Sequence, residues 1–144
     1  MKVRELMLRD LTSVDPGDSI RVLVETLESA ETSSVPVTDE DDRLVGIVSE
    51  RDVLAGALPR YMELLHSASF VPNLDQLARG LARIADEPVS EHMSRKLVFV
   101  HAGADDLQAA DLMLRHKLRL LPVVDEEDRL VGVVRRVDLF KHVL

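Results

Sequence analysis

Ser49 and Asp52 stand three residues apart where the apolar run Leu44-Val45-Gly46-Ile47-Val48 gives way to a helix-forming stretch. A hydroxyl and the backbone N–H groups of a helix start can hold phosphate oxygens, and a carboxylate can accept from both hydroxyls of a ribose. The same pair also fits a helix cap with an acidic partner in the first turn, which stabilises by about 1 kcal/mol. A second constellation, Gly132, Arg135 and Asp138, matches Gly46, Ser49 and Asp52 in spacing, with arginine in the hydroxyl's place. Arginine is a poor cap, so Asp138 is explained by a ligand or by the helix dipole alone. The planar fork of Arg135 suits a phosphate, and equally a salt bridge to Asp138 or to a neighbouring glutamate.

The other chemistry-bearing residues point away from catalysis. Asp39-Glu40-Asp41-Asp42 and Asp125-Glu126-Glu127-Asp128 lack the spacing of a calcium loop and read as solvated hairpin turns. His66, His92, His101, His116 and His142 are scattered, with no H-E-x-x-H or comparable pair, so no metal site is expected. There is no cysteine nucleophile, G-x-S-x-G elbow or P-loop, and an enzyme is not expected.

The elements that position these residues occur twice. PVTDEDDRLVGIVSERD, residues 36–52, returns as PVVDEEDRLVGVVRRVD at 122–138, with eleven of seventeen positions identical and a constant offset of 86. The register extends outward: Met7 falls on Met93, Val14 on Val100 and Gly17 on Gly103. One supersecondary unit is therefore used twice. In the first copy a lead-in turn at 3–7 precedes a short strand at 11–14 and a turn at 15–18. A helix then starts at Asp18 or Ser19 with the stripe Ile20, Leu23, Val24, Leu27 and Ala30. Strands from Val35 and over 44–48 follow, the second covered on both faces, and a helix occupies 49–56. The second copy repeats this with strands at 97–100, 120–124 and 130–134 and helices at 105–116 and 136–144. Asp105 with Gln108 reads as a capping box.

The expected division is 1–56 for the first copy, 57–87 for a helical segment between, and 88–144 for the second copy. In the central segment Pro59 opens a helix carrying Tyr61, Met62, Leu64 and Leu65, of which Tyr61, Met62 and Leu65 are taken as core or a dimer contact. Asn73 caps another, with Gln76 at the capping-box position and a wide face of Leu74, Leu77, Ala78, Leu81, Ala82, Ile84 and Ala85. That face is expected to pack across the two copies or against another subunit.

At 144 residues and 46% apolar content the chain can bury a real core. A net charge of −8 without a Lys/Arg cluster, and 3% aromatics, argue against nucleic-acid binding but allow a small anion held by placed cations. No apolar run approaches a membrane span, and MKVRELMLRD lacks the apolar centre of a signal peptide. Absence of cysteine suits a reducing compartment, and a cytoplasmic location is expected.

The repeated pattern resembles the CBS domain, the β-α-β-β-α module named after cystathionine β-synthase. The likeness rests on Met7, residues 12–16, Val35-Pro36-Val37-Thr38-Asp39 and residues 44–52 in the first copy, and on their counterparts through Asp138 in the second. It implies a mixed α/β (α+β) fold of two repeats packed with pseudo-two-fold symmetry, with clefts between them, and often a homodimer. It also implies a regulatory module, not an enzyme, taking AMP, ADP, ATP or a related adenosyl ligand. With no effector domain in this sequence, the output is expected to reach a protein partner in trans. The residues the resemblance assigns to the ligand are Ser13, Val35, Ser49, Asp52, Phe99, Leu121, Arg135 and Asp138. Two depart from the family pattern: Arg135 replaces the hydroxyl of G-x-x-[ST]-x-x-D, and Phe99 replaces the threonine that Ser13 mimics, either to stack on a base or to fill the core. The clefts are thus expected to differ, with Ser49 and Asp52 marking the stronger. The rival expectation is a ligand-free scaffold acting through dimerisation and the central helices.

Overall fold

The structure, a computed structural model, describes residues 1–58 and 75–144. In chain order the first part comprises α1 (Val3–Leu6), α2 (Ile20–Ala30), β1 (Ser34–Thr38), β2 (Leu44–Ser49) and α3 (Glu50–Ala57). Next come α4 (Gln76–Ile84) and a 3₁₀ turn, Val89–Glu91. The second copy supplies β3 (Val100–His101), α5 (Asp106–Arg115), β4 (Leu120–Val124), β5 (Leu130–Arg135) and a closing 3₁₀ turn, Arg136–Leu139. This is the mixed helix-and-sheet class expected from the repeat.

Each copy is built on one antiparallel hairpin. Val35 faces Val48 in β1–β2, and Leu121 faces Val134 in β4–β5, the same register at the same offset. The acidic turns close these hairpins by local chemistry. Asp39 Oδ1 accepts from the backbone N–H of Asp41 (2.9 Å) and Arg43 (3.0 Å), and Asp42 takes a left-handed φ of 64°. Asp125 and Asp128 do the same in the second copy. The two turns also bond to each other: Leu44 N–H donates to Asp128 O, and Leu130 N–H to Asp42 O. α2 starts where Ser19 accepts from Val22 N–H, as its sequence requires.

Several elements are shorter than expected. The strand at 11–14 reduces to a single parallel bridge between Val14 and Val37, and its counterpart to Val100 and His101 beside β4. The closing helix shrinks to one 3₁₀ turn; Val143 and Leu144 are almost fully exposed, so no burial sustains further turns. The box at Asp105 does not form, because its carboxylate turns to Lys2 Nζ, 3.4 Å away. β2 alternates buried and half-buried residues, so only one of its faces is fully covered.

The packing crosses the sequence division. Val3 is buried in the second copy's core with Val100, Leu121 and Val134, while Ile84 and Val89 are buried in the first copy's core with Leu23, Val35 and Val48. The backbone follows: Leu8 and Val133 exchange two hydrogen bonds, of 2.8 and 3.0 Å, and Ser94 and Ile47 exchange two of 2.8 and 3.1 Å. Each lead-in therefore lies on the opposite copy. Glycine makes room for it. A Cβ at position 46 would sit 2.7 Å from Met93 Sδ, and one at position 132 would sit 2.5 Å from the Leu8 carbonyl oxygen.

The central apolar face is divided. Ile84 and Leu81 pack into the first copy's core, so for these two residues the expectation of packing across the copies or against another subunit is corrected. Gly80 lies so close to α3 that a Cβ would overlap Ala57 O. Leu77 stays exposed. Tyr61, Met62, Leu64, Leu65, His66, Leu74 and the cap at Asn73 lie outside the described residues.

The strand φ at position 132 is ordinary, so only the crowding opposes a side chain there. Gly132→Ala is expected to cost about 1–3 kcal/mol through overpacking against backbone. Gly103→Ala, where the Cβ meets only the far end of Arg4, is expected to be close to neutral. Denaturant unfolding of the two variants checks this, and equal stabilities would refute it.

Candidate ligand site between the copies

Both candidate carboxylates cap the element that follows their strand. Asp52 Oδ2 accepts from Ser49 N–H at 2.9 Å and from Ser49 Oγ at 3.1 Å, while Ser49 Oγ accepts from Asp52 N–H at 3.3 Å. Asp138 Oδ2 accepts from Arg135 N–H at 2.8 Å in the same way. This shared backbone bond explains why an aspartate stands at both positions whether or not a hydroxyl precedes it. Asp52 is half-buried and relies on Ser49.

Asp138 is in a different electrostatic setting. Its side chain is 0% exposed, and its oxygens also accept from Arg135 Nε (3.1 Å), Arg135 Nη2 (2.9 Å) and Lys141 Nζ (2.9 Å). Burial alone would push this carboxyl up. The bonds from the Arg135 side chain and backbone and from Lys141, with the Arg135 charge, outweigh it and bring the pKa from 3.8 down to about 2. Arg135 and Asp138 form the salt bridge that the sequence allowed.

A cleft of about 350 Å³ opens between the copies. Its apolar wall comes from Leu8, Val35, Pro36, Leu120 and Val133, and its polar groups include Arg119, Arg135, Asp10, Thr12 and Glu31. Such a volume, with apolar walls and a few placed polar groups, is that of a small-molecule site. The hydroxyl and backbone N–H of Thr12 hold Asp10 below the usual carboxylate range, against a smaller opposing effect of burial. A larger, more open hollow of about 690 Å³ lies beside α2 and α3. It carries Glu28, Glu31 and Glu50 against Arg119, a setting hostile to an anion.

Of the eight residues singled out from the sequence, Val35 and Arg135 line the cleft together. Ser49 and Asp52 lie at the α3 start and line neither hollow. Ser13 turns from the cleft and its Oγ accepts from Thr38 Oγ1 at 3.2 Å, while its neighbour Thr12 points in, as alternation along extended backbone demands. Leu121 is fully buried core. Phe99 is half-buried, edge-on to His101 at 5.7 Å between centroids. Sequence reasoning missed Thr12 and Arg119. Arg119 falls on Ser33 under the offset of 86, and both precede a hairpin strand, which is why both reach the meeting of the copies.

A family model for the CBS domain matches residues 3–58 and 89–144. Among curated relatives, inosine-5'-monophosphate dehydrogenase of Methanocaldococcus jannaschii is 27% identical over 143 residues. That match takes in 98% of this chain but 23% of the dehydrogenase, so the chain spans about a quarter of that relative. Among solved structures, the CBS-pair protein CBSX2 of Arabidopsis thaliana gives a TM-score of 0.79 at 26% identity, covering 98% of this chain and 92% of CBSX2. CBSX2 in complex with AMP gives 0.73 at 26% identity, covering 98% and 94%. No helix among the described residues is long and apolar enough to cross a membrane.

Ionised Asp138 favours the folded state, because its folded pKa lies below its ordinary value. The contribution, about 2 kcal/mol, is present above about pH 4 and is lost as pH falls through about 2. Asp138→Asn is expected to lose roughly that stability at neutral pH and progressively less below pH 4. Denaturant unfolding across this range checks it; an undiminished difference at pH 2.5 would contradict it.

Proposed function

The chain belongs to the CBS domain family, and from that premise we propose that it is a regulatory module binding an adenine nucleotide or related adenosyl ligand. The observation that carries the reading is the cleft of about 350 Å³ lined by both copies, with the guanidiniums of Arg119 and Arg135 beside an apolar wall. In this reading the base lies against Val35, Pro36 and Val133, and a phosphate draws Arg135 from Asp138. Lys141 stays with the buried carboxylate, so Arg135 can turn to the ligand without stranding a charge. In this reading Ser49 and Asp52 serve a second, non-equivalent cleft, with Asp52 accepting from ribose hydroxyls and Phe99 on its wall.

A ligand seated between the copies favours one relative arrangement of them, which is how occupancy passes to a protein partner in trans. The module acts as a cytoplasmic homodimer, without membrane insertion or nucleic acid, and performs no catalysis of its own. The AMP complex of CBSX2 supports an adenine ligand. The scaffold alternative keeps Leu77 but loses Leu81 and Ile84, which the first copy's core takes up.

Calorimetry with AMP, ADP, ATP, S-adenosylmethionine and adenosine tests the proposal. Arg135→Gln is expected to weaken a phosphate-bearing ligand roughly tenfold or more and leave adenosine unchanged, since one charge-assisted contact is lost. Asp52→Ala is expected to weaken all of them at its cleft. Failure of every ligand to bind at millimolar concentration would sink the reading and favour the scaffold.

A further inference from the structure

The connection entering the second copy carries one group of side chains that the ligand cleft does not use. We propose that Glu87, Glu91 and His92 form a binding site for a divalent transition metal of the zinc type. Among the described residues this is the single group of three potential metal ligands brought together, with one donor atom from each within 4.8 Å of the others. One edge already has coordination dimensions: His92 Nε2 and Glu87 Oε1 are 3.3 Å apart. In a tetrahedral zinc site with bonds of about 2.0–2.1 Å, adjacent donors are separated by roughly 3.3–3.4 Å. Completing the set asks for a movement of about an ångström by Glu91, which is exposed.

The frame beneath the ligands is well anchored. Val89 is fully buried and its N–H donates to Asp18 O at 2.7 Å, while Ser90 N–H donates to Pro16 O at 3.0 Å. His92 Nδ1 abuts α3 at Gly56, where a Cβ would come within 2.6 Å of it, and this turns Nε2 toward the carboxylates. One imidazole with two carboxylates suits zinc, cobalt or nickel better than magnesium or calcium, which favour all-oxygen shells. Two carboxylates also balance the charge of a dication. The metal would tie the end of the segment between the copies to the 3₁₀ turn that enters the second copy, leaving a fourth position for water. Isolated histidines gave no pair in the sequence, because here the other donors are glutamates brought in by a turn.

The test uses the tag-free full chain, freed of metal with chelator and titrated with Zn²⁺ and Co²⁺. Zn²⁺ is expected to raise the melting temperature by about 5–10 °C at roughly a hundredfold excess over its Kd. Co²⁺ is expected to produce the visible absorption of a tetrahedral site. Both signals should vanish in Glu91→Gln, an exposed position that leaves folding intact, and in His92→Gln, and should persist in His101→Gln. No response of the unaltered chain to millimolar Zn²⁺, or the same response in Glu91→Gln and His92→Gln, would overturn the proposal.

Discussion

The backbone exchange between Leu8 and Val133, with its mate between Ser94 and Ile47, is the contact on which the rest of the structure depends. It places each lead-in on the opposite copy, so Val3 completes the second core and Val89 the first. Neither core closes without chain from outside its own repeat. Gly46 and Gly132 let the crossing strands approach; any side chain there meets sulfur or carbonyl oxygen at less than van der Waals distance. The glycine of each G-x-x-[S/R]-x-x-D run thus acts in packing, and the aspartate acts first on the backbone N–H three residues before it.

Because the copies hold each other this way, the space left between them is lined by both. Residues from the lead-in, β1, β4 and β5 share one cleft, and Arg119 joins it to the hollow beside α2. The symmetry of the backbone is not carried into the chemistry. The first copy has a hydroxyl beside a half-buried carboxylate, whereas the second has two cations fixing a fully buried one. Two substitutions create the difference: Arg135 where the first copy has Ser49, and Lys141 where it has Ala55.

The connection between the copies belongs to the fold as much as the repeats do. α4 packs on α3 through Gly80 and adds Ile84 to the first core, and the 3₁₀ turn after it is bonded to the loop before α2. An apolar face that seems spare along the chain is therefore partly spent on closing that core.

Order and type of the elements were legible in the sequence because binary pattern and turn chemistry are local, and because a repeat at a constant offset makes each copy check the other. Val35 against Val48 and Leu121 against Val134, the acidic turns and the Ser19 cap all follow from residues close in the chain. Element ends were less legible: Asp105 prefers Lys2, more than a hundred residues away, to its own helix, and the last residues find nothing to pack against. The same distinction governs the cleft. Arg135 and Asp138 could be singled out by spacing, yet whether the arginine pairs with the aspartate, whether Ser13 or Thr12 turns inward, and that Arg119 reaches the cleft depend on long-range packing. Two copies, their hairpins and the residues able to carry charge are written in the local pattern of the chain. The tertiary structure decided which copy each lead-in completes and which charges meet, because those contacts join segments whose separation leaves no periodic trace in the chain.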